Sequence, residues 1–430
     1  MSRDARRILR CVGLLAAVGA LLVPAVAAAK QSQSRDEPQN TQFNAVYSST
    51  NDPTGNAIIA YARHSDGTIV KRYTVSTGGI GIASEPPFGF PIIDTSGSIN
   101  LTPDGRLLFV VNAGDNTVSS FRIDGDGRPR LVSRENSGGI LPVSLESNGH
   151  LLYVVNELSG NIFGFSYSNS GQLTKIPGSS QSLSIPGAAG IAADIGFRPN
   201  GRVIVVTERF LPLPGSPHAP QNGVIDTFVV NTDGSAGPVQ GHTAATPTPF
   251  GFTFSGTEHL LTSSAGGVDT PSGTPPEVGD PSQFNGSVES YNVSNTGALT
   301  PTGNAPSFGD ATCWVVVTND GRWAFASNTL SNNSPATIGS GIGGISRFAI
   351  APDGTPTFLG QVDVNSLGAP VFPSDEALSN DSGYLYLSAP SIVGGPSHIE
   401  VYRVGPGGSL TDIQSTPNDL PNSASGIAAH

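Results

Sequence analysis

Beyond residue 43 the chain alternates short apolar bursts with glycine-containing turns. The clearest unit occupies residues 99–132. Ile99 and Leu101 lead into Pro103-Asp104-Gly105, and Leu107-Leu108-Phe109-Val110-Val111-Asn112 follows as a second strand. Residues 117–123 alternate as a third strand, and Asp126-Gly127 turns the chain into Leu131-Val132. Four short antiparallel strands joined by tight turns make one blade of a β-propeller.

The unit returns along the chain. Its second strand reappears at residues 151–156, 203–207, 260–263, 323–328 and 384–388. Its turn into the fourth strand reappears at Ser170-Gly171, Asp233-Gly234, Thr296-Gly297, Asp353-Gly354 and Gly407-Gly408. The first unit, from Ala45-Val46-Tyr47 to the Asp66-Gly67 turn, has no inner strand ahead of it. The chain ends on Ala424-Ser425-Gly426-Ile427-Ala428-Ala429, an inner strand with no blade after it. Joining these loose ends predicts an all-β, seven-bladed β-propeller closed by the C-terminal strand completing the first blade. Closure removes the exposed sheet edges of an open array. Residues 43–430 are then a single domain.

Antiparallel direction puts the connections between second and third strands on the same face as those between blades. That face receives every long insertion: 208–222, 264–285, 328–343 and 389–397. Long loops gathered on one face of a rigid scaffold predict a binding surface.

The N-terminus reads differently. Arg3, Arg6, Arg7 and Arg10 precede an apolar run over 11–26, and Ala27-Ala28-Ala29 precedes Lys30. That order predicts a signal peptide over 1–29, cleaved near Ala29/Lys30, with 30–42 as a linker and a secreted or periplasmic product. The apolar run is short for a membrane span. The chain carries a net charge of −12, so nucleic acid and anionic lipid are not expected partners. Charged residues are 13% of the chain, against 54 glycines and 35 prolines, a composition of strands and turns rather than of disorder. Only Cys313 would remain after cleavage, so no internal disulfide is expected, and a monomer is the expected state.

The whole stretch beyond the leader resembles the seven-bladed lactonase-like propellers, the group around phosphogluconolactonase and carboxymuconate-cyclase-type enzymes, and their secreted bacterial relatives. The carriers are Asn44-Ala45-Val46-Tyr47 with Thr50-Asn51-Asp52-Pro53, Thr248-Pro249-Phe250-Gly251-Phe252, Cys313-Trp314-Val315-Val316-Val317-Thr318 with Asp320-Gly321-Arg322, and the Ser425-Gly426-Ile427-Ala428-Ala429 ending. The resemblance implies His, Arg and Glu side chains around a central channel that acts on a small acidic or sugar-derived lactone. None of the seven histidines directly precedes an inner strand here. His218 and His398 are expected in loops of the insertion-bearing face, as binding candidates.

Other candidates come from the residues themselves. Glu208-Arg209, expected just past a second strand, pairs an acid with a guanidinium that could hold a carboxylate or an oxyanion. Asp375-Glu376, at the entry to the last inner strand, is the reserve: Asp375 as a catalytic carboxylate, Glu376 as a binding group. Trp314, Phe250 and Phe372 are expected to pack between blades. Gly339-Ser340-Gly341-Ile342-Gly343-Gly344 spells a dinucleotide fingerprint but precedes a strand rather than a helix, so it reads as a loop. Asp124, Asp126 and Glu135 lack the rest of a calcium loop and read as a hairpin turn. No cofactor or metal is expected. Two readings stand side by side: a lactonase-like enzyme working at the channel, and a non-catalytic propeller binding a ligand, glycan or protein through its long loops.

Overall fold

Leu107–Asn112 is buried at every position, because a second strand is sandwiched between the neighbouring blades on both sides. The outer strand Ile69–Ser76 is exposed at most positions and takes Lys71 and Arg72. This gradient from continuous to mixed hydrophobicity runs through each unit. In the computed structural model it produces seven four-strand blades, with one further short strand in the third. The structure describes residues 44–84, 92–185, 191–209, 222–246, 248–265, 286–330, 343–364, 367, 371–391, 395–416 and 418–430, all within one unit, Gln42–His430.

The inner strands are Ser425–Ala429, Ile99–Leu101, Pro142–Asn148, Ile191–Phe197, Pro249–Ser255, Asp310–Val317 and Glu376–Leu378, for blades 1 to 7. Blade 1 closes as the sequence predicts. Val46 pairs with Ala429, Tyr47 with Ala428 and Ser48 with Ile427, and the His430 amide donates to the Ala45 carbonyl at 2.9 Å. Gly426 sits at φ +76°, and a Cβ there would come within 2.3 Å of Ser98 Oγ, so the closing strand needs glycine at that contact.

The Asp-Gly turns have a second use. Tyr47, Tyr153 and Tyr386, each in a second strand, donate their hydroxyls to the carbonyls of Gly127, Gly234 and Gly67. Each acceptor is a turn glycine of the following blade. The turn that reverses one hairpin therefore also docks its neighbour. The turn at Asp126-Gly127 is a hairpin, as expected, and a strand, Gly344–Ile350, follows the glycine-rich stretch.

The channel is crossed from the insertion-bearing face by residues 92–98, the end of the connection from blade 1 to blade 2. Ile93 N donates to Ser425 Oγ of blade 1 at 2.8 Å and Thr95 Oγ1 to the Val143 carbonyl of blade 3 at 2.8 Å. Ser96 N donates to the Ala193 carbonyl of blade 4 at 2.9 Å, and Trp314 Nε1 of blade 6 donates to the Thr95 carbonyl at 3.1 Å. Ile92 packs with Ala193, Phe250, Cys313, Trp314 and Phe372 in one buried cluster. The aromatic residues expected between blades thus also seal the axis.

Candidate functional site

Sevenfold repetition supplies a reference for finding what is special. The residue after the six-residue second-strand motif is Asn51, Ala113, Glu157, Arg209, Ala265, Thr329 and Pro390 in blades 1 to 7. Only blades 3 and 4 carry a charge there, and the two charges are opposite. Arg209 is the last residue of its strand, Val203–Arg209, and pairs with Ile191 of the inner strand, which brings its side chain to the channel mouth.

The guanidinium meets the crossing segment. Arg209 Nη1 donates to Asp94 Oδ2 and Nη2 to the Asp94 carbonyl, each at 3.0 Å. Its Cζ lies 4.4 Å from the Phe250 ring centroid. Exposures of 3% for Arg209, 4% for Glu157 and 7% for Asp94 make this a desolvated cluster, where electrostatic effects are strong. Burial pushes Glu157 up to about 7; the Arg209 charge opposes that rise and Asp94 adds to it. A carboxyl poised near neutral beside a guanidinium can exchange a proton and stabilise a developing anion.

Deeper in the lumen three carboxyls bind the inner strands together. Glu146 of blade 3 accepts from Phe197 N of blade 4 at 2.7 Å, and Asp194 of blade 4 accepts from Phe252 N of blade 5 at 3.0 Å. Asp375 accepts from Glu376 N at 3.0 Å and from Gly97 N and Ile427 N at 3.4 Å. Burial raises all three: Glu146 and Asp375 to about 7, Asp194 well above its usual range. Inner strands present unpaired amides to the channel, and acidic side chains from other blades satisfy them.

The sequence candidates separate. Glu208 and Arg209 are adjacent strand residues, so they project to opposite faces of blade 4. Arg209 faces the axis and blade 5. Glu208 faces blade 3, where Ser184 Oγ and Ile185 N donate to its carboxyl at 3.4 and 3.3 Å. The neighbouring pair therefore does not form one acid–guanidinium site, and both residues lie inside the strand rather than past it.

Glu376 is 4% exposed and raised well above its ordinary range, by burial first and the neighbouring Asp375 charge second. His398 is not in a loop: it opens the strand His398–Gly405, pairs with Ala389, and is fully buried with Nε2 2.8 Å from Glu400 Oε1. The correction has a simple cause. Pro396-Ser397 resembles a loop, but His398 already has its ladder partner. His218 lies outside the described residues. Asp94 and Glu157 were missed. Aligning the second strands one residue further would have exposed Glu157 opposite Arg209; nothing local marks Asp94. Among the described residues no group of three or more His, Cys, Asp or Glu is arranged to hold a metal ion.

Residues 143–266 match the family model for the lactonase seven-bladed β-propeller, a stretch containing Glu157, Arg209 and Phe250. A solved candidate 6-phosphogluconolactonase from Bacteroides uniformis is similar at 17% identity and TM-score 0.62, over 89% of this chain and 99% of that one. The periplasmic gluconolactonase of Pseudomonas aeruginosa is similar at 16% identity and TM-score 0.60, over 90% and 98%. A hypothetical selenium-binding protein from Sulfolobus tokodaii reaches TM-score 0.59 at 10% identity, over 90% and 93%. No curated protein sequence matches the chain. The resemblance to the lactonase propellers holds, and at such identities the solved structures share the fold, which hosts more than one activity.

Proposed function

We propose that the protein opens a small acidic or sugar-derived lactone at the mouth of its channel, on the face that carries the long insertions. The observation that carries this reading is that one repeat position bears opposite charges in adjacent blades, Glu157 in blade 3 and Arg209 in blade 4, within electrostatic reach of one another in a desolvated cluster. In the reaction a carboxylate takes a proton from water as the water oxygen attacks the lactone carbonyl. The tetrahedral oxyanion is held by the Arg209 guanidinium. The ring oxygen then leaves and takes the proton back. Glu157 is the acid–base group and Asp375 the reserve, both at about 7. Glu208 supports the base of its loop rather than the reaction. We also propose export through residues 1–29; among the described residues no helix is long and apolar enough to cross a membrane.

The near-complete burial of Asp94, Glu157 and Arg209 favours one other reading, an ion-pair lock in a non-catalytic propeller that binds a ligand, glycan or protein through its loops. Proton release from five- and six-membered lactones separates them. Catalysis predicts turnover by the wild type and a loss of ~10²–10⁴ in Glu157→Gln with melting temperature retained. A wild type no faster than buffer on every lactone rejects the enzyme.

A further inference from the structure

The opposite face, made of tight turns, holds a groove of about 440 Å³ between blades 6 and 7. Its wall is the turn ahead of the second strand in blade 6, with Asn319, Asp320 and Trp323, facing the equivalent turn of blade 7, with Asp381 and Ser382. The turns are tied: Asn319 N donates to Ser382 Oγ at 2.9 Å and Asn319 Nδ2 to the Asn380 carbonyl at 2.6 Å. The groove's floor is therefore a rigid joint between two blades.

Trp323 opens the second strand of blade 6, a position filled by Leu107, Leu151, His259 and Tyr384 in other blades. In each the side chain packs on a turn glycine of the following blade, here Gly408, where a Cβ would sit 3.2 Å from the indole. Gly408, at φ +66°, lets the backbone lie against the ring, and Arg347 Nη1 holds its carbonyl at 3.2 Å. Packing accounts for an apolar residue at this position. It does not account for an indole whose Nε1–H finds no acceptor among the described residues beside an open groove.

The polar atoms around the ring are both donors and acceptors. Asp381 Oδ1 is taken by Ser379 Oγ at 2.6 Å and Gly383 N at 3.0 Å, leaving Oδ2 without a partner among the described residues. Asn319 Oδ1 and the Ser382 hydroxyl hydrogen are likewise unused. Arg322 neutralises Asp320 through Nε at 2.7 Å and Nη2 at 2.6 Å. Its Cζ also lies 5.9 Å from the Trp323 centroid, where an organic cation would otherwise sit. The remaining Asp381 charge and the acidic chain disfavour anions. Gly408 and Arg322 already lie against the ring, so what fits is an uncharged molecule that meets the indole at its Nε1–H edge, with hydroxyls that donate and accept.

We infer that this groove binds a neutral saccharide, independently of any activity at the channel. The chain has two tryptophans, and Trp314 is buried, so acrylamide-quenchable fluorescence reports on Trp323. The full protein is titrated with methyl glucoside, N-acetylglucosamine, cellobiose and maltose, with choline chloride and inorganic phosphate as alternative ligands. Saturable protection from quenching by at least one saccharide is expected. Asn319→Ala and Asp381→Asn should each weaken it about 3- to 10-fold, the loss of one hydrogen bond. Trp323→Leu should abolish binding by saturation-transfer NMR, which needs no tryptophan, with the melting temperature checked alongside. Protection by choline or phosphate alone, no protection by any saccharide, or protection unchanged in both polar variants overturns the inference.

Discussion

Blades 2 and 4 fill the same slot in different ways. In blade 2 Asn112 ends the second strand, accepts from Thr77 Oγ1 at 2.7 Å and Asn56 Nδ2 at 3.0 Å, and donates to Ser119 Oγ at 2.9 Å and Thr117 Oγ1 at 3.1 Å. In blade 4 the register puts Glu208 in the Asn112 slot and Asp226 in the Ser119 slot. Ser184 replaces Thr77, donating its amide and hydroxyl to Asp226 at 2.8 and 2.5 Å. An amide carries its own donors; two carboxyls need a proton between them. Burial first, and the Asp226 charge second, push Glu208 up to about 9, so at neutral pH Glu208 keeps that proton and Asp226 is the acceptor. One residue further, blade 2 has Ala113 and blade 4 has Arg209.

The difference locates structure and function on opposite sides of one strand. The slot of Glu208 is a polar node of the fold, built again by Asn328 and Ser346 in blade 6. Glu289 and Glu400 occupy the Ser119 slot in blades 5 and 7. Blades 4, 5 and 7 all have long connections between their second and third strands, whereas blades 2 and 3, with short connections, put Ser119 and Phe163 in that slot. Buried acids thus accompany long loops, with blade 6 the exception.

The largest effect should come from the charge blade 2 lacks. Arg209→Met leaves Asp94 buried without its guanidinium, and about 3–5 kcal/mol of stability should be lost in urea unfolding. Adding Asp94→Asn should return more than half. A single variant as stable as wild type would break the claim that the two blades differ by a buried ion pair. Next comes the neutral node: Asn112→Leu strands several buried partners and should cost about 3 kcal/mol by the same measurement. A loss under about 1 kcal/mol would mean that water replaces the amide.

Much of this was legible in the chain. Second strands are buried on both sides, so Leu107-Leu108-Phe109-Val110-Val111 and its repeats stand out, and the unmatched ends at Ala45 and Ser425 imply closure. The site was less legible for two reasons. Ending the blade 4 strand at Thr207 placed Glu208 and Arg209 in a loop, where neighbours can share a site; two more residues of pairing with Ala192 and Ile191 force them apart. Asp94 reaches Arg209 across 115 residues and Thr95 meets Trp314 across 219, contacts that no local pattern encodes.

A smaller change tests the acid pair itself. Asp226→Asn keeps an oxygen for Ser184 and gains an amide that can donate to Glu208, so about 1 kcal/mol should be lost as charged hydrogen bonds become neutral. With the neighbouring charge gone, Glu208 should also titrate lower, which carboxyl-region NMR or infrared difference spectra would read. An unchanged Glu208 titration would mean that burial alone sets it.

The smallest effect at neutral pH belongs to Glu208→Gln, and its pH dependence is the sharpest comparison with blade 2. A protonated glutamic acid and a glutamine are nearly the same shape and both donate, so the variant converts the blade 4 node toward the amide type of Asn112. Glu208 is raised in the folded state, so its stabilising contribution is complete below the unfolded carboxyl range. It is lost as pH rises from there through about 9, because the folded protein holds a proton that the unfolded chain releases. The substituted amide has no such proton to lose. The variant's melting temperature should therefore match wild type near pH 5 and exceed it increasingly toward pH 9, on top of the common decline caused by Glu146, Asp194 and Asp375, which are raised in the same direction. Lactone turnover, where present, should be unchanged, since Glu208 faces blade 3. A constant difference in melting temperature across that range would show that the pair shares no proton, and a loss of turnover at constant stability would return Glu208 to the reaction.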